Sequence, residues 1–392
     1  MSRFGERGAA TQSATGALQA DASTAAFGSF TLRRRSGAAT PTATVAIAAI
    51  RRAFEGLKVG AVYGWRVQLG GQTIAVTGAG GFIGEALCQR LAREGAQVVG
   101  VDVRADRRGG VEATGARFVA ADVLDTEAMA NALAGCGGLI HTAAIVGDWG
   151  SMEQFIDVNV RGSCSVFDAA QNAGIERIAH LSSVASWGYE FSSDLEETAA
   201  PRATGAPYAD TKAASDYLAL RRGAAVVRPG DVYGPGSVPW AIRPIEALRA
   251  GTFALPGKGD ALMTLVYIDD LVDCIIRALE SEAAAGQAVT AWDGVPITTA
   301  EFFGRYAQML GQKKVRTAPA AVIEAVALAS ELVAKLRGTQ PSVSREAIRY
   351  VSRQATYPNR RASELLGWEP KVDFDEGMRR TELWLRAEGL LD

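Results

Sequence analysis

The sequence predicts an α/β fold, a doubly wound parallel sheet with a smaller, discontinuous C-terminal substrate lobe. Two observations carry this reading. Apolar runs of strand length alternate with helix-patterned segments from Thr73 to Arg228, as expected of parallel strands covered on both faces. The first run, Thr73-Ile74-Ala75-Val76-Thr77, leads straight into Gly78-Ala79-Gly80-Gly81-Phe82-Ile83-Gly84, a glycine turn that opens a helix.

Strands are expected at 73–77, 97–101, 116–120, 138–141, 177–181 and 224–228, each a short, nearly continuous apolar run. Helices are expected at 82–94, where Ile83, Leu87 and Leu91 share a face, and at 126–133, 152–173 and 208–221. Simple alternation then stops. A helix at 240–250, an extended piece at 265–268 and a helix from Asp269-Asp270 to about residue 279 follow. Helical patterns at 299–310, 321–336 and 375–388 complete the chain. The domain reading is therefore a dinucleotide-binding unit over 71–235, completed by 264–290, with 236–263 and 291–392 forming the substrate-binding lobe. Residues 1–70 read as an extension, mostly disordered, with a helical pattern at 43–58. The first forty residues are rich in Ala, Ser, Thr and Gly and carry the basic run Arg33-Arg34-Arg35. A tail or an over-extended start explains them, and so does a basic, acid-poor targeting segment.

Composition narrows the function classes. The chain has 392 residues, 48% hydrophobic and 21% charged, with a formal net charge of -2. That balance gives no electrostatic case for nucleic acid. No run of 18 uncharged apolar residues is present, so a transmembrane span is not expected. The four cysteines show no CxxC spacing, and there are only two histidines, so no metal site is expected. Free thiols fit a reducing compartment and a cytoplasmic location.

The glycine turn has the chemistry of a dinucleotide cradle. Gly78 permits the sharp turn, Gly81 lets a pyrophosphate approach the backbone, and Gly84 permits close helix–sheet contact. The helix N-terminus at Phe82 and Ile83 then offers unpaired N–H groups and a positive dipole end. Asp102 ends the second strand, where a carboxylate accepts both ribose hydroxyls and repels a 2'-phosphate. The cofactor read from this is NAD. Arg104, two residues on, is either a solvated loop charge or a guanidinium that offsets the repulsion, which keeps NADP in view. Asp122 has two jobs open to it: accepting from the adenine amine or capping a helix.

A second signal is Tyr208-Ala209-Asp210-Thr211-Lys212. Residues four apart leave one face of a helix. A phenol has a pKa of about 10 and is a poor base near neutrality. An ammonium neighbour is expected to lower it, so that Tyr208 exchanges a proton with a substrate hydroxyl while hydride moves at the carbinol carbon. Ser183, at the end of the fifth strand, is placed to donate to the substrate oxygen, and Ser182 is an alternative.

These residues resemble the extended short-chain dehydrogenase/reductase family, the NAD-dependent epimerase/dehydratase superfamily. The resemblance runs from Thr73 to the C-terminus. It includes Asp122-Val123, His141-Thr142-Ala143-Ala144, Asn159-Val160-Arg161-Gly162, Ser182-Ser183, Arg228-Pro229-Gly230-Asp231-Val232-Tyr233-Gly234-Pro235, Tyr267-Ile268-Asp269-Asp270 and Leu366-Gly367-Trp368. It implies catalytic Ser183, Tyr208 and Lys212, with Lys212 also holding the nicotinamide ribose. It extends the cofactor contacts to Val123, Ala143, Ala144 and Pro229. It also implies a homodimer built from the helices around 153–173 and 208–221.

Within the family the chain looks most like the 3β-hydroxysteroid dehydrogenase branch. Asp231 stands where sugar-nucleotide enzymes usually carry Asn, and Met263 aligns where they often carry Arg. Neither offers a donor to a pyrophosphate. With Trp187 as an aromatic wall and the apolar helix at 321–336, they suit an uncharged substrate. Arg243 or Arg345 remains available to replace the missing Arg. The expectation is an NAD-dependent oxidoreductase acting on a secondary alcohol or ketone of an apolar, steroid-like molecule. The alternative is a sugar-nucleotide epimerase or dehydratase. A non-catalytic scaffold would normally have lost Tyr208 or Lys212.

Overall fold

The computed structural model describes residues 69–189 and 195–391. The expected extension over residues 1–70, with its helical pattern at 43–58, lies outside the described residues except for its last two. The strands expected from the sequence are present as β1 (Thr73–Thr77), β2 (Gln97–Asp102), β3 (Arg117–Ala120), β4 (Gly138–His141), β5 (Arg177–Leu181) and β6 (Ala225–Pro229). A further strand, Ala288–Ala291, pairs with β6. Together they make a seven-stranded parallel sheet in the order Ala288–Ala291, β6, β5, β4, β1, β2, β3.

Strand alternation explains the two layers. Ile74, Val76 and Ile140 belong to one buried apolar cluster, while Ala75 and Leu139 belong to another. Successive residues of a strand point to opposite faces, so each strand feeds both cores. The Phe82–Arg93 helix packs on the first core through Leu87, Cys88 and Leu91. That core also takes in Phe302, Trp368 and Leu385, so the C-terminal helices share it with the sheet.

Chain direction across the sheet reverses between β1 and β4. Ligands in such sheets bind beyond the carboxyl ends of the strands at the reversal. Here the two strand ends are tied directly, as Thr142 Oγ1 donates to Thr77 O at 2.7 Å.

The expected helix at 152–173 is interrupted in its winding. Met152–Phe155 and Ser163–Asn172 are α-helical, but Ile156–Gly162 between them is a π-helix. Such a segment inserts an extra residue per turn, and it carries Asn159 inward, where only 1% of the side chain's surface is exposed. Some short elements carry no readable pattern. Arg108–Ala113 is a helix despite Gly109 and Gly110, each of which costs about 1 kcal/mol relative to Ala. It forms because Val111 is fully buried against β2. A Cβ on Gly100 would stand only 2.6 Å from Val111 Cγ1. The short helices Arg345–Val351 and Arg360–Leu366 were also not expected as such.

The turn after β1 leaves no room for side chains. A Cβ on Gly84 would sit 2.1 Å from Gly78 O. Gly84→Ala is therefore expected to destabilise the fold by at least about 1–3 kcal/mol, measured by urea unfolding. Wild-type stability in that variant would show that the turn tolerates a wider helix–strand spacing.

Candidate active site

The glycine turn is built for close approach. Gly78 has φ +71°, and a Cβ there would lie 2.8 Å from Ala143 N. The turn thus rests on the backbone that leaves β4, which brings Ala143 and Ala144 beside it. The N-cap of the Phe82–Arg93 helix is Gly81, with no side-chain cap. The leading amides of Phe82 and Ile83 therefore lack the side-chain acceptor that a Ser or Asp would bring. Asp102 closes the other side. Its Oδ2 accepts from Gly80 N at 2.9 Å and its Oδ1 from Arg104 N at 2.9 Å. The Arg104 guanidinium folds back to donate to Gly80 O at 2.9 Å, so Arg104 braces the turn rather than standing in a solvated loop. An uncapped helix end, a turn of glycines and a carboxylate held beside it fit a dinucleotide.

Asp122 is exposed, and its Oδ1 accepts from Leu124 N at 3.0 Å. The neighbouring helix Thr126–Leu133 is capped by Asp125, which accepts from Ala128 N. The capping role considered for Asp122 therefore belongs to Asp125. Val123 is buried against Gly162, where an added Cβ would meet Val123 Cγ2 at 2.5 Å. It has only backbone to offer a ligand. Pro229 ends β6 in register with Ala291.

The Tyr–Lys pair rides on the helix Pro207–Arg221, which begins with Pro at its first position. Lys212 is buried, and its ammonium donates to Leu181 O at 2.5 Å, at the last residue of β5. Ser183 lies near enough to the Tyr208 phenol to pull its pKa down. Ser182 points elsewhere, donating to Asp216 Oδ2 at 3.1 Å. The two serines left open by the sequence thus separate: Ser183 meets the phenol, and Ser182 joins the buried Asp216–Arg228 ion pair (2.7 Å).

The electrostatics differ from expectation. Burial raises the Tyr208 phenol above its ordinary value, and the Ser183 hydroxyl pulls it back. The lowering expected from Lys212 is not seen: burial and the Ser183 hydroxyl set the phenol's value, while the ammonium is directed at the Leu181 carbonyl. Burial lowers Lys212 to about 8, opposed by the Asp216 carboxylate.

Residues 74–290 match the NAD dependent epimerase/dehydratase family. The chain belongs to that family. Among its relatives is the 2-alkyl-3-oxoalkanoate reductase of Stenotrophomonas maltophilia, 29% identical over 78% of this chain and 97% of that protein. The UDP-glucose 4-epimerase of Mycolicibacterium smegmatis is 30% identical over 79% of this chain and 97% of its own length. The 3beta-hydroxysteroid-dehydrogenase/decarboxylase isoform 2 of Arabidopsis thaliana is 27% identical over 68% of this chain and 51% of its own length. Solved structures superpose with TM-scores of 0.65 to 0.68 at 20–25% identity over 81–83% of this chain, a likeness of fold.

In this member of the epimerase/dehydratase family, three side chains expected at the substrate are structural instead. Trp187 is fully buried, stacked on Tyr357 at 5.5 Å with the Arg228 guanidinium 4.5 Å from its ring. It is core, not an aromatic wall. Met263 is also fully buried, in a two-residue strand paired with Ile297–Thr298. Asp231 is paired with the Arg353 guanidinium, and both side chains are inaccessible to solvent. It also accepts from Tyr350 Oη at 2.7 Å and Thr264 N at 2.9 Å. Arg345, considered as a replacement cation, is held by Glu331 at 2.9 Å, and Arg243 has a partner too.

The structure adds residues to those named from sequence. Asn159 donates to Ile145 O and Thr211 Oγ1, both at 3.1 Å, and accepts from Ile145 N at 2.7 Å. It ties the loop after β4 to the Tyr–Lys helix. The motif containing Asn159 was visible; its partners were not. Arg353 had no such signal, since its acid lies 122 positions earlier.

Removing one side of a buried ion pair leaves an uncompensated charge, at about 3–5 kcal/mol. Arg353→Met is expected to cost that much in urea unfolding, and Arg353→Met with Asp231→Leu to recover most of it. Equal losses in the single and double variants would show that Asp231 needs no counter-charge.

Proposed function

We propose that this chain is an NAD-dependent oxidoreductase moving hydride between the nicotinamide and a secondary alcohol or ketone of an apolar substrate. The observation that carries this reading is the Asp231–Arg353 pair. A diphosphate needs free cationic donors. At Asp231 the guanidinium is already neutralised and sealed from solvent, and Arg345 is held by Glu331. The likeness to a 2-alkyl-3-oxoalkanoate reductase points the same way, as does the likeness to a steroid dehydrogenase/decarboxylase. NAD is preferred over NADP because Asp102, which bonds the Gly80 amide, would face a 2'-phosphate. The substrate is assigned to the cleft between the sheet's carboxyl edge and segments 236–263 and 291–392. A homodimer through the helices around 153–173 and 208–221 fits the 62% exposure of Tyr217.

The bound dinucleotide would supply or accept the hydride. Gly78, Gly81, Gly84 and the Phe82 and Ile83 amides would hold its phosphates, with Asp102 on the adenosine ribose. Asp122, Val123, Ala143, Ala144 and Pro229 would line the rest of its path. In ketone reduction Tyr208 gives its proton to the carbonyl oxygen as hydride reaches the carbon. The phenol, raised by burial, is protonated at neutral pH and enters this direction as the proton donor. Ser183 donates to the same oxygen as charge develops there. Lys212 steadies the phenol's surroundings through its charge and, with Leu181, holds the helix in place.

The second reading is a sugar-nucleotide epimerase, favoured by the 30% identity to a UDP-glucose 4-epimerase. The two separate in one assay. NADH oxidation is measured with long-chain 3-oxo acids, 3-ketosteroids and UDP-glucose, with UDP-galactose formation followed in parallel. Turnover of the apolar ketones is expected. Interconversion of UDP-sugars without net NADH loss would replace the proposal with the epimerase reading.

Two further outcomes test the residue roles. Tyr208→Phe is expected to keep NADH affinity, read by fluorescence titration, while turnover falls by about 10²–10⁴-fold. Unchanged turnover would remove the proton role from Tyr208. Lys212 is lowered to about 8, so raising the pH through that value strips its proton and charge. The rate of ketone reduction should fall across this range. A rate that stays flat to pH 10 would show that the Lys212 charge is not required.

A further inference from the structure

Ala320–Arg337 is an 18-residue helix that turns its apolar side chains to solvent. Val322, Val326 and Leu332 are 53%, 56% and 54% exposed, and Leu336 is 87% exposed. The buried residues are Ala327, Glu331 and Ala334. Glu331 is turned inward, accepting from Arg345 N at 2.8 Å, so one of the helix's few charges is withdrawn from its outer surface. A helix on a soluble protein ordinarily buries its apolar stripe. Large exposed apolar faces mark contacts with another protein or a membrane.

The flanking charge selects between them. Exposed Lys313, Lys314 and Arg316 precede the helix, and exposed Lys335 and Arg337 end it. The stretch 313–337 thus holds five basic residues against two acids, in a chain whose net charge is -2. The helix is about 27 Å long at 1.5 Å per residue, so cations stand at both ends of one apolar rod. A second copy packed on this face would oppose cation to cation, whether the helices ran parallel or antiparallel. A bilayer carrying anionic lipid meets both ends favourably. Among the described residues no helix is long and apolar enough to cross a membrane, which leaves the interfacial orientation.

We propose that Ala320–Arg337 is a membrane-surface helix. Its apolar face enters the headgroup–acyl boundary of an anionic phospholipid bilayer, and its basic ends rest on the lipid phosphates.

The test is cosedimentation of the full chain with vesicles of phosphatidylcholine alone or of phosphatidylcholine with about one phosphatidylglycerol in four lipids. Binding is expected with the anionic vesicles and should weaken as salt rises. Leu332→Glu with Leu336→Glu should reduce it at least about tenfold, since both side chains leave the apolar phase. Lys313→Ala and Lys314→Ala should each reduce it about fivefold. These positions are exposed, so unchanged thermal melting by circular dichroism separates lost binding from lost folding. Three results would overturn the proposal: no recovery with anionic vesicles, equal binding of Leu332→Glu/Leu336→Glu and wild type, or conversion of an oligomer to monomers by that variant in light scattering. The last would assign the face to a second copy.

Discussion

A buried ammonium tied to the end of a strand sets the position of everything around it. Lys212 donates to Leu181 O, at the end of β5. One residue later Ser182 N donates to Val227 O at 2.8 Å, and Ser182 Oγ reaches Asp216, one helical turn beyond Lys212. Asp216 is in turn gripped by Arg228 of β6. Two strands and a helix are thereby fixed by charges that have left water. Buried ion pairs add little net stability, because desolvation offsets their attraction. They do penalise any arrangement in which they come apart. The result is a defined position for Ser183, the next residue, against Tyr208.

Deeper behind this tie lies a neutral polar layer. His141 and His180 stack at 5.3 Å, and burial lowers both well out of the range where they would carry charge. His141 bonds Thr77 at 2.7 Å and Ser163 at 2.9 Å, linking β1, β4 and the Ser163–Asn172 helix. Lys212 contributes to the lowering of both histidines. A single positive charge under the site therefore stands on a base that does not compete with it. That arrangement favours the ammonium as the local charge which a developing alkoxide would meet.

The main sheet was legible because its physics is local. A parallel strand covered on both faces must be largely apolar, and the runs Ile74–Val76 of β1 and Val98–Val101 of β2 show it directly. The glycine turn was legible because only glycine tolerates the contacts of Gly78 and Gly84. The substrate side was not legible to the same degree. Asp231, Met263 and Trp187 stand out in the sequence, but a side chain's type does not reveal which way it faces. Trp187 has the same chemistry in a wall or in a core, and only its stacking on Tyr357 decides. The sequence shows Asp231 only as a residue with no donor for a pyrophosphate; the structure shows it paired with the Arg353 guanidinium. The π segment at Ile156–Gly162 left no trace either, since its apolar spacing is that of an ordinary helix.

The surface helix and the buried pair belong to one continuous set of contacts. Glu331, near the end of Ala320–Arg337, holds Arg345, the first residue of the helix Arg345–Val351. Tyr350 of that helix donates to Asp231, and Arg353 lies just beyond it. The same short helix is capped by Ser344, whose hydroxyl also bonds Asp148 in the loop after β4. An apolar rod on the outside is thus pinned, through two acids, to the buried Asp231–Arg353 pair. These contacts explain why so exposed a helix keeps a defined place: it is anchored by charge at its inner face, because its apolar side chains are committed outward. The burial of Glu331 serves both ends, holding the Arg345 backbone while leaving the outer surface free of all but one acid.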